Sequence, residues 1–171
     1  MLGFYENFPV NIHRIEMFTT YLSNRRFQQK LIEVLCDINR RKFCFEEITC
    51  PTVPECTIIF EAGLADAESF NYIDEDETRK VITTLKKASF QTMDFFFAVR
   101  YYKGKTENKA PLKFDYYFLR VAFSRNNLEM QVFHERGPRY ISPEDVVTFL
   151  VNELNKKASK KTLKRLVTKH Q

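Results

Sequence analysis

Hydrophobic and polar positions first alternate in "IHRIEMFTTYL", where Ile15 falls on one side and Arg14 and Glu16 on the other. That period of two predicts a strand. The spacing then changes. In "SNRRFQQKLIEVLCDINRR" the apolar residues Phe27, Leu31, Val34, Leu35 and Ile38 make one stripe of a helix, capped by Ser23 or Asn24. After a Pro-bearing loop, "CTIIFEAGLA" reads as a strand buried on both faces. "DEDETRKVITTLKKA" opens with acids, closes with Lys86 and Lys87, and carries a narrow stripe of Val81, Ile82 and Leu85, as a dipole-matched helix does.

Three strands follow: "TMDFFFAVRYYK", "LKFDYYFLRVAFSR" and "LEMQVFHE". "KGKTENKAP" joins the first two as a solvated hairpin loop, and Asn126 with Asn127 is expected to turn the second hairpin. A turn there would set Phe123 against Met130, Val121 against Val132 and Leu119 against His134 on the apolar side. In "ISPEDVVTFLVNEL" Ser142 caps a helix with Pro143 at its first position and Glu144 and Asp145 in its first turn. The order β-α-β-α-β-β-β-α predicts an α+β fold: a two-layer sandwich with a mixed sheet of about five strands and a C-terminal antiparallel meander. Residues 1–155 are expected to form a single domain, followed by a basic helical extension over 156–171.

Composition adds an aromatic excess to this picture. The 171 residues include 17 Phe and 8 Tyr but only 4 Gly and no Trp. If the meander is apolar on both sides, something beyond its first helical layer must shield it. Its outward side would carry Phe96, Arg100, Tyr102, Phe114, Tyr116, Phe118, Arg120 and Phe133. Arginines among aromatics on a sheet suit base stacking, although the octapeptide of RNA-binding sheets is missing. The commoner explanation is that this face is covered, by a helix, by a protein partner or by a second subunit in a homodimer.

Charge is uneven. The net value is +5, yet Lys156, Lys157, Lys160, Lys161, Lys164, Arg165 and Lys169 leave the preceding body with 20 bases against 22 acids. Continued as a helix, the tail would place Lys160, Lys161, Lys164, Arg165 and Lys169 opposite Leu163, Leu166 and Val167. Such a segment fits RNA, DNA, anionic lipid or an acidic groove. That continuation points Leu163 and Leu166 away from the stripe of Val147, Leu150, Val151, Leu154 and Ala158, so the helix must either break near 156–160 or project.

The chemistry-bearing residues are sparse. Cys36, Cys44, Cys50 and Cys56 lack zinc-site spacing and are expected as small apolar side chains, with "TCPTVPEC" able to bring Cys50 and Cys56 together. Seven acids from Glu61 to Glu77 form no calcium loop; Glu61, Asp66, Glu68 and the 74–77 acids are the residues a metal-dependent enzyme would use. In "FHERGPRY", His134, Glu135, Arg136 and Arg139 gather, but strand neighbours point apart, so a structural His134 is expected. No P-loop, dinucleotide turn or G-x-S-x-G occurs, which argues against an enzyme and calls for no cofactor. "MLGFYENFPV" lacks the pattern of a secretory signal and no apolar run is long enough to span a membrane, so an intracellular place is expected, cytoplasmic or nuclear (nucleoid-associated). Together these features predict a non-catalytic binding or adaptor protein working in a complex, with nucleic-acid binding as the first alternative. The site residues would be Arg100, Tyr102, Phe118, Arg120, Lys160, Lys161, Lys164, Arg165 and Lys169.

Overall fold

A computed structural model describes residues 1–44, 47–48, 56–103, 113–156 and 160–166. Its elements are β1 (Arg14–Thr20), α1 (Asn24–Asn39), β2 (Lys42–Cys44), β3 (Cys56–Asp66), β4 (Ser69–Tyr72), α2 (Glu75–Lys87), β5 (Thr92–Lys103), β6 (Lys113–Ser124), β7 (Asn127–Arg136), α3 (Pro143–Asn155) and β8 (Leu163–Arg165). The chain is α+β, with the strands in one sheet of order β2-β3-β5-β6-β7-β1-β8 and β4 paired to β3. The expected mixed sheet of about five strands is corrected on two counts. Every pairing is antiparallel, and β2, β4 and β8 bring the described strands to eight. The physical reason is that α1 carries the chain from β1, near one edge, to β2 at the other, so no strand finds a parallel neighbour. Residues 104–110, Cys50, Lys157, Ala158, Val167 and Lys169 lie outside the described residues.

Each helix starts where its cap dictates. Ser23 accepts from Arg26 N–H at 3.3 Å, Asp74 from Glu77 N–H at 2.8 Å and Ser142 from Asp145 N–H at 3.1 Å. The helices cover the sheet face formed by Phe95, Phe97 and Val99 of β5, Leu119 and Val121 of β6, and Met130 and Val132 of β7. Phe43, Phe60 and Phe149 pack mutually with centroids 5.1–5.6 Å apart, joining β2, β3 and α3. Two buried amides tie α1 to its surroundings. Gln28 donates to Phe90 O (2.7 Å) and accepts from Phe90 N–H (2.8 Å). Asn39 donates to Ala62 O and Ile73 O and accepts from Ala62 N–H.

The β6–β7 hairpin differs from its expected register by two residues. Phe123 faces Leu128, Val121 faces Met130 and Leu119 faces Val132, around a loop of Arg125 and Asn126. Only Asn126 takes a positive φ, 62°, and Asn127 already pairs with Ser124. A slip of two leaves every side chain on its predicted face, because the strand period is two.

The other sheet face has an unforeseen cover. The sheet splits where β3 leaves β5 for β4, and the first residues of the chain bridge the gap. Gly3 donates to Ala65 O and accepts from Asp94 N–H, both at 2.7 Å. A Cβ on Gly3, whose φ is +87°, would lie 3.0 Å from the Phe90 ring. Beyond it, Tyr5 stacks on Phe118 at 5.5 Å and Phe8 meets the same ring edge-on at 6.0 Å. The shield over this part of the meander is thus the chain's own N-terminal segment.

The tail is also corrected. α3 ends at Asn155, and Leu163–Arg165 form an edge strand on β1, with Leu163 opposite Thr20 and Lys164 opposite Thr19. Over these residues the expected helix is replaced by a strand for two reasons. Leu163 reaches the core (2% exposed) only if the chain turns back, and the Asn155 side chain holds that return by accepting from Leu163 N–H at 3.0 Å.

Candidate functional site

The sheet-face candidates are occupied within the chain. Arg120 grips Asp94 with two bonds of 2.7 and 2.9 Å and donates to Tyr5 O, while its guanidinium lies 4.3 Å from the Phe8 ring centre. Asp94 is fully buried and also accepts from Tyr5 N–H at 2.8 Å. Arg100 pairs with Glu61 at 2.9 Å, Tyr102 is 9% exposed and Phe118 lies beneath Tyr5 and Phe8. Phe133 stacks on His13 with centroids 4.5 Å apart, a contact within the chain. What stays open on this face is Phe114 and, towards β8, Ile15, Met17 and Leu166.

The acids of the 61–77 stretch are dispersed. Glu61 faces Arg100, Asp74 caps α2, Glu75 pairs with Arg40, Asp76 with Arg79, and Glu77 accepts from Asn71. Among the described residues no group of three or more His, Cys, Asp or Glu converges as metal ligands would. Cys36 and Cys56 are buried and Cys44 is exposed.

The third sequence candidate finds its carboxylate far away. His134 Nε2 lies 2.8 Å from Asp115 Oδ1, and Glu135 takes no part. Asp115, fully buried, also accepts from Arg139 N–H (2.7 Å), Tyr101 OH (2.7 Å) and Tyr140 N–H (3.0 Å). Gly137, φ +111°, lets the loop close here, since a Cβ would sit 2.5 Å from Asp115 Oδ1. With four donors the carboxylate is saturated and acts as a structural acceptor. Burial, with the Asp115 charge adding to it, pushes the Tyr101 and Tyr117 hydroxyls well above the usual phenol range. Burial, then Arg139 and His134, holds the His13 imidazole below its usual value.

A different arrangement surrounds Tyr21, which follows β1 and is 52% exposed. On one side a groove of about 720 Å³ runs along α1, lined by Tyr21, Arg26, Lys30, Glu33, Asp37, Arg41, Glu153 and Lys156 among others. On the other a recess of about 210 Å³ is lined by Thr19, Thr20, Tyr21, Lys160, Lys161, Thr162 and Lys164. The groove is graded. At its far end Arg41 bridges Asp37 (3.3 Å) and Glu153 (2.8 Å), and Lys156 adds a second contact to Glu153 at 2.7 Å. At the Tyr21 end, Arg26, Lys161 and Lys164 have no ion pair among the described residues. There Lys30 donates to the Thr162 hydroxyl at 2.6 Å, and the Lys160 ammonium lies 4.8 Å from the Tyr21 ring centre. Arg165, by contrast, is committed to Glu16. Burial lowers the Lys30 ammonium from its usual value, as expected of a cation that lost water without gaining an acid.

Of the sequence-derived site residues, Lys160, Lys161 and Lys164 come together here, while Arg100, Tyr102, Phe118, Arg120 and Arg165 do not join them. Tyr21, Arg26 and Lys30 were missed. Their signal was the run "YLSNRRFQQK", whose basic residues fall off the apolar stripe of α1. No helix of the described residues is long and apolar enough to cross a membrane. Compared with protein-family models, with curated proteins and with solved structures, the chain matches none.

Proposed function

We propose that this is a non-catalytic binding protein that takes a nucleic acid, RNA or DNA, on the basic surface around Tyr21. One observation carries the reading. Most arginines on the molecule meet an acid: Arg14, Arg40, Arg41, Arg79, Arg100, Arg120 and Arg165 all do so. Arg26, Lys30, Lys160, Lys161 and Lys164 gather around one tyrosine with no ion pair of their own among the described residues. Clustered like charges repel inside a Debye length of roughly 8 Å, and a polyphosphate relieves that repulsion while releasing its counterions.

The adaptor reading through the sheet face has less support, because Phe118 and Arg120 already hold the N-terminal segment; it now rests on the stripe of Ile15, Met17 and Leu166. Fluorescence anisotropy with labelled 20-nucleotide RNA and DNA at low salt tests the nucleic-acid reading. The protein should bind, and the double variant Lys161→Glu, Lys164→Glu should weaken binding at least tenfold. A wild-type protein that leaves both oligonucleotides free sinks the proposal.

A further inference from the structure

The shape of the basic surface carries the argument one step further, and this step rests on the nucleic-acid reading above. Duplex and single strand differ in what they offer a protein. A duplex is a broad rod with its bases stacked inside, so only phosphates and groove edges reach a surface. A single strand brings phosphates and free base faces together and enters recesses too narrow for the rod.

Three observations decide between them. First, the cations are recessed as well as displayed. Lys30 is half-buried, and among the described residues its side chain bonds to the hydroxyl of Thr162, which is itself fully buried. A lysine desolvated with no acid lacks a counter-charge, and a phosphate entering the groove would supply it. Second, the two recesses meet at an exposed aromatic ring: Tyr21 forms a wall of both the groove and the smaller pocket. Third, that ring already holds a cation. The Lys160 ammonium sits over it at 4.8 Å, and Lys160 is exposed, so the ring face is covered only by a solvent-facing side chain. The long Lys160 side chain can swing to a phosphate when a base takes its place.

We infer that the ligand is a single strand, with one base stacked on Tyr21 and the adjoining phosphates held by Lys30 in the groove and by Lys161 and Lys164 beyond it. Base stacking, which the sequence offers only as an alternative on the sheet face, is thereby placed on Tyr21, outside the face that the N-terminal segment covers.

The test uses the full chain and three labelled 12-nucleotide probes: a single strand, its blunt duplex, and an abasic strand with the same number of phosphates. The single strand should bind about tenfold more tightly than the abasic strand, within the range expected for one stacked base, and more tightly than the duplex, which also misses Lys30. Tyr21→Ala should erase the preference over the abasic strand, while Tyr21→Phe should keep it. Lys30→Met should weaken both single-stranded probes and spare the duplex. Equal affinity for all three probes, or a preference over the abasic strand that survives Tyr21→Ala, overturns the inference while leaving the polyanion surface intact. No salt-sensitive binding of any probe defeats the underlying reading as well. Circular dichroism checks that each variant folds, which the exposure of Tyr21 favours.

Discussion

Replacing Asp115 by Asn tests whether its carboxylate organises the β5–β6–β7 corner. Each oxygen takes two donors, Arg139 N–H and His134 on one, Tyr101 OH and Tyr140 N–H on the other. The amide turns one oxygen into an NH2 group. On either side that NH2 confronts a backbone N–H that cannot reverse, although the Tyr101 hydroxyl or the His134 ring can turn to accept. One buried N–H is therefore orphaned, costing about 1–3 kcal/mol, and the remaining bonds lose the strength a charged acceptor gave them. A total near 3 kcal/mol follows by that reckoning, since each weakened bond loses roughly 0.5 kcal/mol. With a urea slope of about 2 kcal/mol/M, the unfolding midpoint should fall by about 1.5 M. Tyr101→Phe, which removes one donor of four, should move it by only about 0.5 M on the same scale. Urea titration followed by circular dichroism at constant slope reads both shifts. An Asp115→Asn midpoint within about 0.3 M of wild type, well inside the shift computed from this slope, would refute the claim that the carboxylate is a saturated hub.

Two further outcomes follow. Asp94→Ala leaves the Arg120 guanidinium over Phe8 without its carboxylate and frees Tyr5 N–H, so the N-terminal segment should loosen: chymotryptic cleavage near Phe4, Tyr5 and Phe8 should accelerate, and unchanged cleavage would mean the ion pair does not hold it. The pH profile should fall at both ends. The folded state keeps the Tyr101 and Tyr117 protons that the unfolded chain releases near pH 10, so the melting temperature should drop as pH rises above about 10. It should also ease downward as pH falls below about 6.5, where the unfolded chain binds a proton that His13 in the folded state resists. A melting temperature flat from pH 5 to 11 would contradict both signs.

The longer elements were legible because each carried two agreeing signals, period and terminus. Ser142–Pro143 before an apolar stripe left little choice for α3, and alternation in β5, β6 and β7 assigned faces correctly even though the turn slipped by two residues. The short strands β2, β4 and β8 have three or four residues, too few to show a period. Leu163 and Leu166 among lysines fit a basic helix as well as an edge strand, and only the return held by Asn155 decides it. The pairs that define the surfaces are separated far along the chain: Tyr5 with Asp94 and Arg120, Asp115 with His134 and Tyr140, Lys30 with Thr162. Local pattern carries no information about such meetings, so the sequence shows that the face needs cover but not that the N-terminal segment supplies it.

The most direct test of the central claim is the dependence of single-strand affinity on salt. If Arg26, Lys30, Lys160, Lys161 and Lys164 each neutralise one phosphate, log K should fall against log salt with a slope of about −3.5. The double variant Lys161→Glu, Lys164→Glu should flatten that slope to about −2, or less where the new acids repel the strand. A wild-type slope near zero, or one the double variant leaves unchanged, would contradict the account.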